Sequence, residues 1–175
     1  DAVHAAPDTA ADNPGGWIVW VAIADVAHYV RPGSALDREA RLRGNSTYFP
    51  DRVVPMLPDR LSGDLCSLHA GVDRACLAVR MQLDREGHKI GHRFVRGLMR
   101  SAASLHYGQV QAAIDGAPDE VTEPLLDPVL RPLYAAYAAA ARARDARQPL
   151  DLDLPERKIV LDEAGNVLSV AFRER

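Results

Sequence analysis

The sequence has 175 residues, 47% of them hydrophobic, with 21 Lys and Arg set against 24 Asp and Glu for a formal net charge of −3. That length and apolar content suit one globular domain with a core of its own. No apolar run reaches the ~20 residues that cross a bilayer, no basic, apolar and small-residue opening marks a secretory signal, and Cys66 and Cys76 alone make neither a disulfide framework nor a zinc site.

A soluble, cytoplasmic protein with two buried thiols is therefore expected. Its charge argues against a domain that holds nucleic acid on a broad basic surface. An enzyme that encloses a single strand needs only a locally positive channel, so that form of binding stays open. Lys89 and Lys158 are the only lysines. Arginine suits bidentate phosphate contact, and an arginine- and alanine-rich coding bias would explain the same excess.

In chain order, Trp17 to Ala24 is a continuous β-branched and aromatic run behind the turn Asn13-Pro14-Gly15-Gly16, which predicts a buried strand ending at Asp25. Ser34 and Asp37 form an approximate capping box and Gly44 sits where a helix stops, so Ala35 to Arg43 should be a short helix. Asn45 to Val54 reads as extended chain. From Ala75 to Asp84, Leu77, Val79, Met81 and Leu83 alternate with Cys76, Ala78, Arg80 and Gln82, the period of a strand with one buried face. A turn at Glu86-Gly87 returns it to a partner strand over Gly91 to Arg100, where His92 and Arg96 weaken the alternation.

Tyr107 to Ile114 predicts a short helix, stopped by Asp115-Gly116-Ala117-Pro118. In a longer helix Val129, Leu130, Leu133, Tyr134, Tyr137 and Ala141 recur at helical spacing. Arg142, Arg144 and Arg147 gather where a helix C-terminus favours cations. Lys158 to Leu161 and Val167 to Val170 flank a turn and predict a second hairpin. No internal repeat or linker interrupts the chain.

The stretch Ile23 to Pro58, IADVAHYVRPGSALDREARLRGNSTYFPDRVVPMLP, followed by LCSLHAGVDR at Leu65 to Arg74, resembles the catalytic domain of the ribonuclease II/ribonuclease R family. The match runs strongly from Trp17 to Gln109 and fairly well from Leu150 to Arg175, while the helical segment between them matches only in character. The resemblance implies an α+β fold in which a mixed β-sheet is flanked by helices. It also implies a processive, Mg²⁺-dependent hydrolase that degrades single-stranded RNA from the 3′ end to nucleoside 5′-monophosphates, a monomer with RNA-binding β-barrel domains on either side. Such chemistry needs several carboxylates, because hard cations that neutralise a scissile phosphate prefer oxygen ligands.

Asp1-Ala2-Val3 resembles the tail of the family's motif D-x-x-x-x-x-D-x-D-D, which makes Asp1 the candidate catalytic and metal-ligating residue. One carboxylate cannot build that site, and a free α-amino group would put positive charge beside it. The isolated chain, read as a fragment of the domain, is thus expected to have little or no nuclease activity. Tyr48, in Ser46-Thr47-Tyr48-Phe49-Pro50, falls on the family tyrosine that stacks on a base near the 3′ end. A base stack is worth about 1–3 kcal/mol and tolerates any sequence. A strand tyrosine packed at the core edge is the structural alternative.

Tyr107 matches a second tyrosine on the RNA path, although His106 and Gly108 depart from the usual neighbours. Leu152 stands where some members carry another aromatic. Asp51-Arg52 and Asp73-Arg74 read as local ion pairs that fix loops, with Arg52 and Arg74 retained as phosphate-contact candidates. Asp25, His28 and Tyr29 suggest general acid–base work, but a strand-end aspartate more often turns the chain. Ser67 and His69 lack a companion acid, and His88 and His92 would share a metal only by chance. The alternative to an enzyme is a non-catalytic RNA-binding or regulatory remnant of the same fold; a structural domain binding protein through the Tyr48 surface is more distant.

Overall fold

The computed structural model describes residues 1–150 and 156–173. Its elements in chain order are strands β1 (Ala2–Pro7) and β2 (Trp17–Ala24), helices α1 (Val26–Tyr29) and α2 (Ala35–Arg43), and strands β3 (Thr47–Tyr48), β4 (Val53–Val54), β5 (Asp73–Leu83) and β6 (Lys89–Arg100). Helices α3 (Tyr107–Ile114), α4 (Glu123–Leu125) and α5 (Arg131–Ala146) follow, then strands β7 (Glu156–Leu161) and β8 (Val167–Arg173). Two wider π-helical turns, Arg60–Leu65 and Leu126–Leu130, precede β5 and α5.

The class is α+β, as the sequence implies. The main sheet has four strands in the order β1-β2-β5-β6, antiparallel throughout. A single parallel bridge joins Ala70 to Ser101. The β-branched and aromatic run of β2 occupies an interior position between β1 and β5, where such side chains pack well. Strand β1 goes unpredicted because Ala-Val-His-Ala-Ala-Pro carries no β signal of its own. It forms by pairing along β2 from Ala2↔Ala22 to Pro7↔Trp17, and Pro7 is tolerated because β1 is an edge strand. The connecting turn is pinned by buried Asn13, whose side-chain amide donates to the Asp8 carboxylate at 2.7 Å and to the Leu83 carbonyl at 3.0 Å.

Helix α2 has the predicted bounds. The Asp37 amide donates to the Ser34 hydroxyl at 3.2 Å, and the Asp37 carboxylate reaches back to the Gly33 amide at 2.8 Å. At the other end Gly44 takes φ +76°, the left-handed conformation that ends a helix.

The strand periods were legible, but the buried faces differ from expectation. On β5 the residues packed tightest are Cys76 and Ala78, with Ala22 of β2, and Trp20, Val95 and Met99 close around them. Of the alternating set, Leu77, Val79 and Met81 are half-buried and Leu83 is buried, and Val3, Ile23, Phe94 and Leu98 are exposed. Helix α5 packs against β1 and β2 and buries Ala136, Ala139 and Ala143 rather than Tyr137. Small side chains let helix and turn backbones approach. A Cβ built on Gly87, in the β5–β6 turn, would overlap the Ala139 carbonyl, so a tyrosine stripe there would hold the helix off.

Burial pushes both thiols up in pKa; Cys76 is buried and Cys66 partly so. No helix among the described residues is long and apolar enough to cross a membrane.

Candidate nucleic-acid interface

The segment Asn45 to Val54, read from sequence as one extended stretch, is a hairpin. Thr47 pairs with Val54 and Tyr48 with Val53, and the Phe49 amide donates to the Arg52 carbonyl at 2.8 Å across Pro50-Asp51. Proline presets the backbone at the second position of such a turn, the punctuation that the extended reading passed over. The hairpin base is tied down on both sides. Ser46 Oγ accepts from the Met56 amide at 2.9 Å, and Arg43 at the end of α2 donates to the Pro55 carbonyl at 3.2 Å while pairing with Glu39 at 2.9 Å.

Tyr48 stands on this hairpin with 78% of its surface exposed, and its hydroxyl has no hydrogen-bond partner among the described residues. Among the described residues Tyr48 is not packed at a core edge. Arg52 lies over the Phe49 ring, 5.0 Å from its centroid, and pairs with Asp51 at 3.0 Å, as the local ion-pair reading anticipated. Tyr48 and Arg52 thus share one hairpin, with the guanidinium over Phe49 and the Tyr48 ring free, and an exposed aromatic face is suited to stacking on a base.

Arg74 differs. Its side chain is 14% exposed and bonds the Asp64 carboxylate and, at 3.1 Å, the Ser67 carbonyl, bracing the Arg60–Leu65 turn against the start of β5. Asp73 is not its partner. It pairs across the sheet with Arg100 at 2.7 Å, because neighbours along a strand point to opposite faces whereas Asp73 and Arg100 face each other in register. Of the two candidate arginines, Arg52 is the more exposed.

Tyr107 opens α3 and is 91% exposed. Behind it lies a network that sequence reasoning missed. Gln109 Oε1 accepts from the His106 amide at 3.3 Å, and Gln109 Nε2 donates to Asp119 Oδ2 at 2.7 Å. Asp119 Oδ1 accepts from the Thr122 hydroxyl at 2.7 Å and the Thr122 amide at 2.8 Å, and Thr122 is fully buried. The Thr122 hydroxyl first, then Gln109, holds the Asp119 carboxyl at about 2. A depressed carboxylate pKa adds stability that is present above the unfolded value and lost as pH falls toward 2, so near neutrality Asp119 is an acceptor only. Aspartate three residues before threonine is the turn signal that could have found this network.

Asp1 is exposed at the start of β1. Among the described residues no group of three or more His, Cys, Asp or Glu is gathered that could hold a metal ion. A single carboxylate leaves most of the coordination shell of Mg²⁺ unfilled, so these residues alone do not fit the ion. Asp1, Tyr48 and Tyr107 ride on separate elements, with no hydrogen bond or ion pair joining those elements among the described residues. Leu152 lies outside the described residues.

The remaining groups make local contacts. Buried Asp25 accepts from Arg96 Nη2 at 2.8 Å, which holds its carboxyl below the usual range. The His28 ring packs edge-on to Tyr29, and it is the His28 backbone amide that helps to lower the Asp25 carboxyl. His88 pairs with Asp84, His92 packs against Phe94, and His69 meets the Gly63 carbonyl.

Residues 1–175 match the RNB domain family along their whole length. The chain belongs to the RNB family. Ribonuclease R of Escherichia coli (strain K12) is 43% identical over 163 residues, covering 92% of the RNB chain and 20% of that relative. Ribonuclease R of Vibrio parahaemolyticus is 42% identical over 158 residues, covering 89% and 19%. The RNB chain thus spans about a fifth of the length of these curated relatives. Among solved structures, Mycoplasma genitalium RNase R in complex with ribose methylated single-stranded RNA superposes over 100% of the chain and 27% of its own, with a TM-score of 0.87 and 28% identity.

Proposed function

We propose that this RNB chain is part of a 3′-to-5′ exoribonuclease that hydrolyses single-stranded RNA processively to nucleoside 5′-monophosphates in the presence of Mg²⁺. The observation that carries the reading is Tyr48, held out on a braced hairpin with its ring exposed. A processive enzyme indifferent to sequence needs a contact that every base can make, and an aromatic face is one. Kinship at 42–43% identity to proteins named ribonuclease R supports the same reading, as does the RNA in the Mycoplasma genitalium structure.

In this reading Tyr48 and Tyr107 stack on bases and Arg52 meets phosphate. Arg74 acts mainly by bracing the Arg60–Leu65 turn against the start of β5. Asp1 contributes one carboxylate to a Mg²⁺ site that needs further oxygen ligands. RNA-binding domains elsewhere in the longer protein would thread the strand, and the protein would work as a cytoplasmic monomer.

The test is Asp1→Asn in the full-length protein, assayed for nucleotide release and RNA binding. Losing a metal ligand removes several kcal/mol of charge stabilisation, so release should fall by roughly 100-fold or more while binding persists. Chelation should stop release by the parent protein and Mg²⁺ should restore it. Release that is unaffected by both the substitution and chelation would reject the metal-dependent reading.

A further inference from the structure

The Tyr107 side chain makes no hydrogen bond among the described residues, and with 91% of its surface exposed little but its own backbone sets its direction. That backbone is the first turn of α3, and the hydrogen bonds that fix it run away from the exposed side toward the interior. The His106 amide is held by Gln109 Oε1, the Gln109 amide nitrogen by Asp119 Oδ2, and Asp119 Oδ1 by the hydroxyl and amide of buried Thr122. We infer that the Gln109–Asp119–Thr122 line is a positioning device for Tyr107, fixing the aromatic face that this residue offers to a base of single-stranded RNA. This rests on the reading of Tyr107 as an RNA contact.

The polarity of the line is what makes it a device. A glutamine amide has one acceptor end and one donor end. Asp119, ionised, can only accept, so the NH₂ of Gln109 must point to it and the carbonyl oxygen must point to the His106 N–H. Reversing the amide would set two donors against each other at His106 and two acceptors against each other at Asp119. Thr122 and Val121 in turn hold the carboxylate, Val121 through its amide at 3.1 Å, so the register of the whole line is set from the buried end. A tyrosine ordered in advance does not have to be ordered when RNA arrives, and that saving appears as affinity. Gln109 and Asp119 act through Tyr107 and need not touch RNA themselves.

A double-mutant cycle on the full-length protein tests this, read as affinity for a short single-stranded RNA at fixed salt, with a thermal melt of each variant. Tyr107→Ala alone should weaken binding by roughly 5- to 150-fold, the range of a base stack. Asp119→Asn keeps an oxygen for Thr122 but presents a donor to Gln109 and turns its amide round. It should weaken binding by roughly 2- to 12-fold, the equivalent of re-ordering one side chain on binding, and add nothing in the Tyr107→Ala background. Gln109→Ala, which leaves the Asp119–Thr122 turn intact, should show the same dependence on Tyr107. Combining Gln109→Glu with Asp119→Asn exchanges acceptor and donor along the same line and should restore most of the affinity. Losses that simply add to that of Tyr107→Ala, or no rescue by the exchange in a protein that melts normally, would overturn the inference and leave the reading of Tyr107 standing. Unchanged affinity in Tyr107→Ala itself would overturn both.

Discussion

Tyr48→Ala in the full-length protein is expected to weaken binding of a short single-stranded RNA by roughly 5- to 150-fold, because it removes a base stack worth about 1–3 kcal/mol. Tyr48→Phe should bind nearly as the parent does, since stacking uses the ring and the hydroxyl is unpartnered among the described residues. The same substitution in a packed tyrosine would be felt mainly in folding, where deleting a buried aromatic costs about 3–5 kcal/mol. With 78% of the residue exposed that route is closed, and the melting temperature should hardly change. The two effects therefore separate cleanly: affinity lost with stability kept marks a stacking platform. Fluorescence anisotropy at one fixed salt concentration is the measurement, because salt alone shifts such affinities. Affinity unchanged by Tyr48→Ala would remove the hairpin from the RNA path.

The largest expected effect on folding is at Gly87. Its φ of +92° lies where side chains are strained, and an added Cβ would run into the backbone carbonyl of Ala139 on α5. Neither partner can yield alone, since the turn is closed by the Gly87 amide to the Asp84 carbonyl at 3.1 Å and the helix is held by its alanine face. Left-handed strain of about 1–3 kcal/mol and overpacking of about 1–3 kcal/mol together predict a loss of roughly 2–6 kcal/mol for Gly87→Ala. Thermal unfolding beside Gly116→Ala separates the two terms. Gly116 has φ +98° with nothing within 4 Å of its Cβ position, so it should show only the conformational part. Equal melting shifts for the two variants would mean that α5 does not lie against the turn as closely as the structure has it.

Both predictions stand on features that sequence reading reached unevenly. Helix α2 was legible to the residue because its ends are written in local chemistry, the Ser34 cap and the Gly44 stop. The β5–β6 hairpin was legible because alternation and Glu86-Gly87 agree. Strand β1 was not, since an alanine-rich strand exists only through its pairing with β2. The buried stripe of α5 was misjudged for a similar reason. Hydrophobicity favours Tyr137, yet the choice of Ala136, Ala139 and Ala143 depends on how near the sheet and the Gly87 turn come, a tertiary distance that no single-sequence period carries.

The site divides the same way. Tyr48 and Tyr107 were picked out by resemblance, and their residue types fit the chemistry. Their presentation could not be read: the hairpin under Tyr48 hangs on a Pro50-Asp51 turn, and the line behind Tyr107 joins residues 10 apart in sequence at Gln109 and Asp119. Arginine partners were the least legible. Arg74 bonds Asp64 and Asp73 bonds Arg100, because adjacent side chains on a strand diverge and the sheet register supplies other neighbours.

The central claim is direction as much as chemistry, and the most direct measurement follows single-stranded RNA labelled at one end or the other, with Mg²⁺ and the full-length protein. The account predicts that a 3′ label leaves at once as a nucleoside monophosphate while a 5′ label stays on a steadily shortening strand. RNA that is bound but never shortened, or a 5′ label that leaves first, would contradict it.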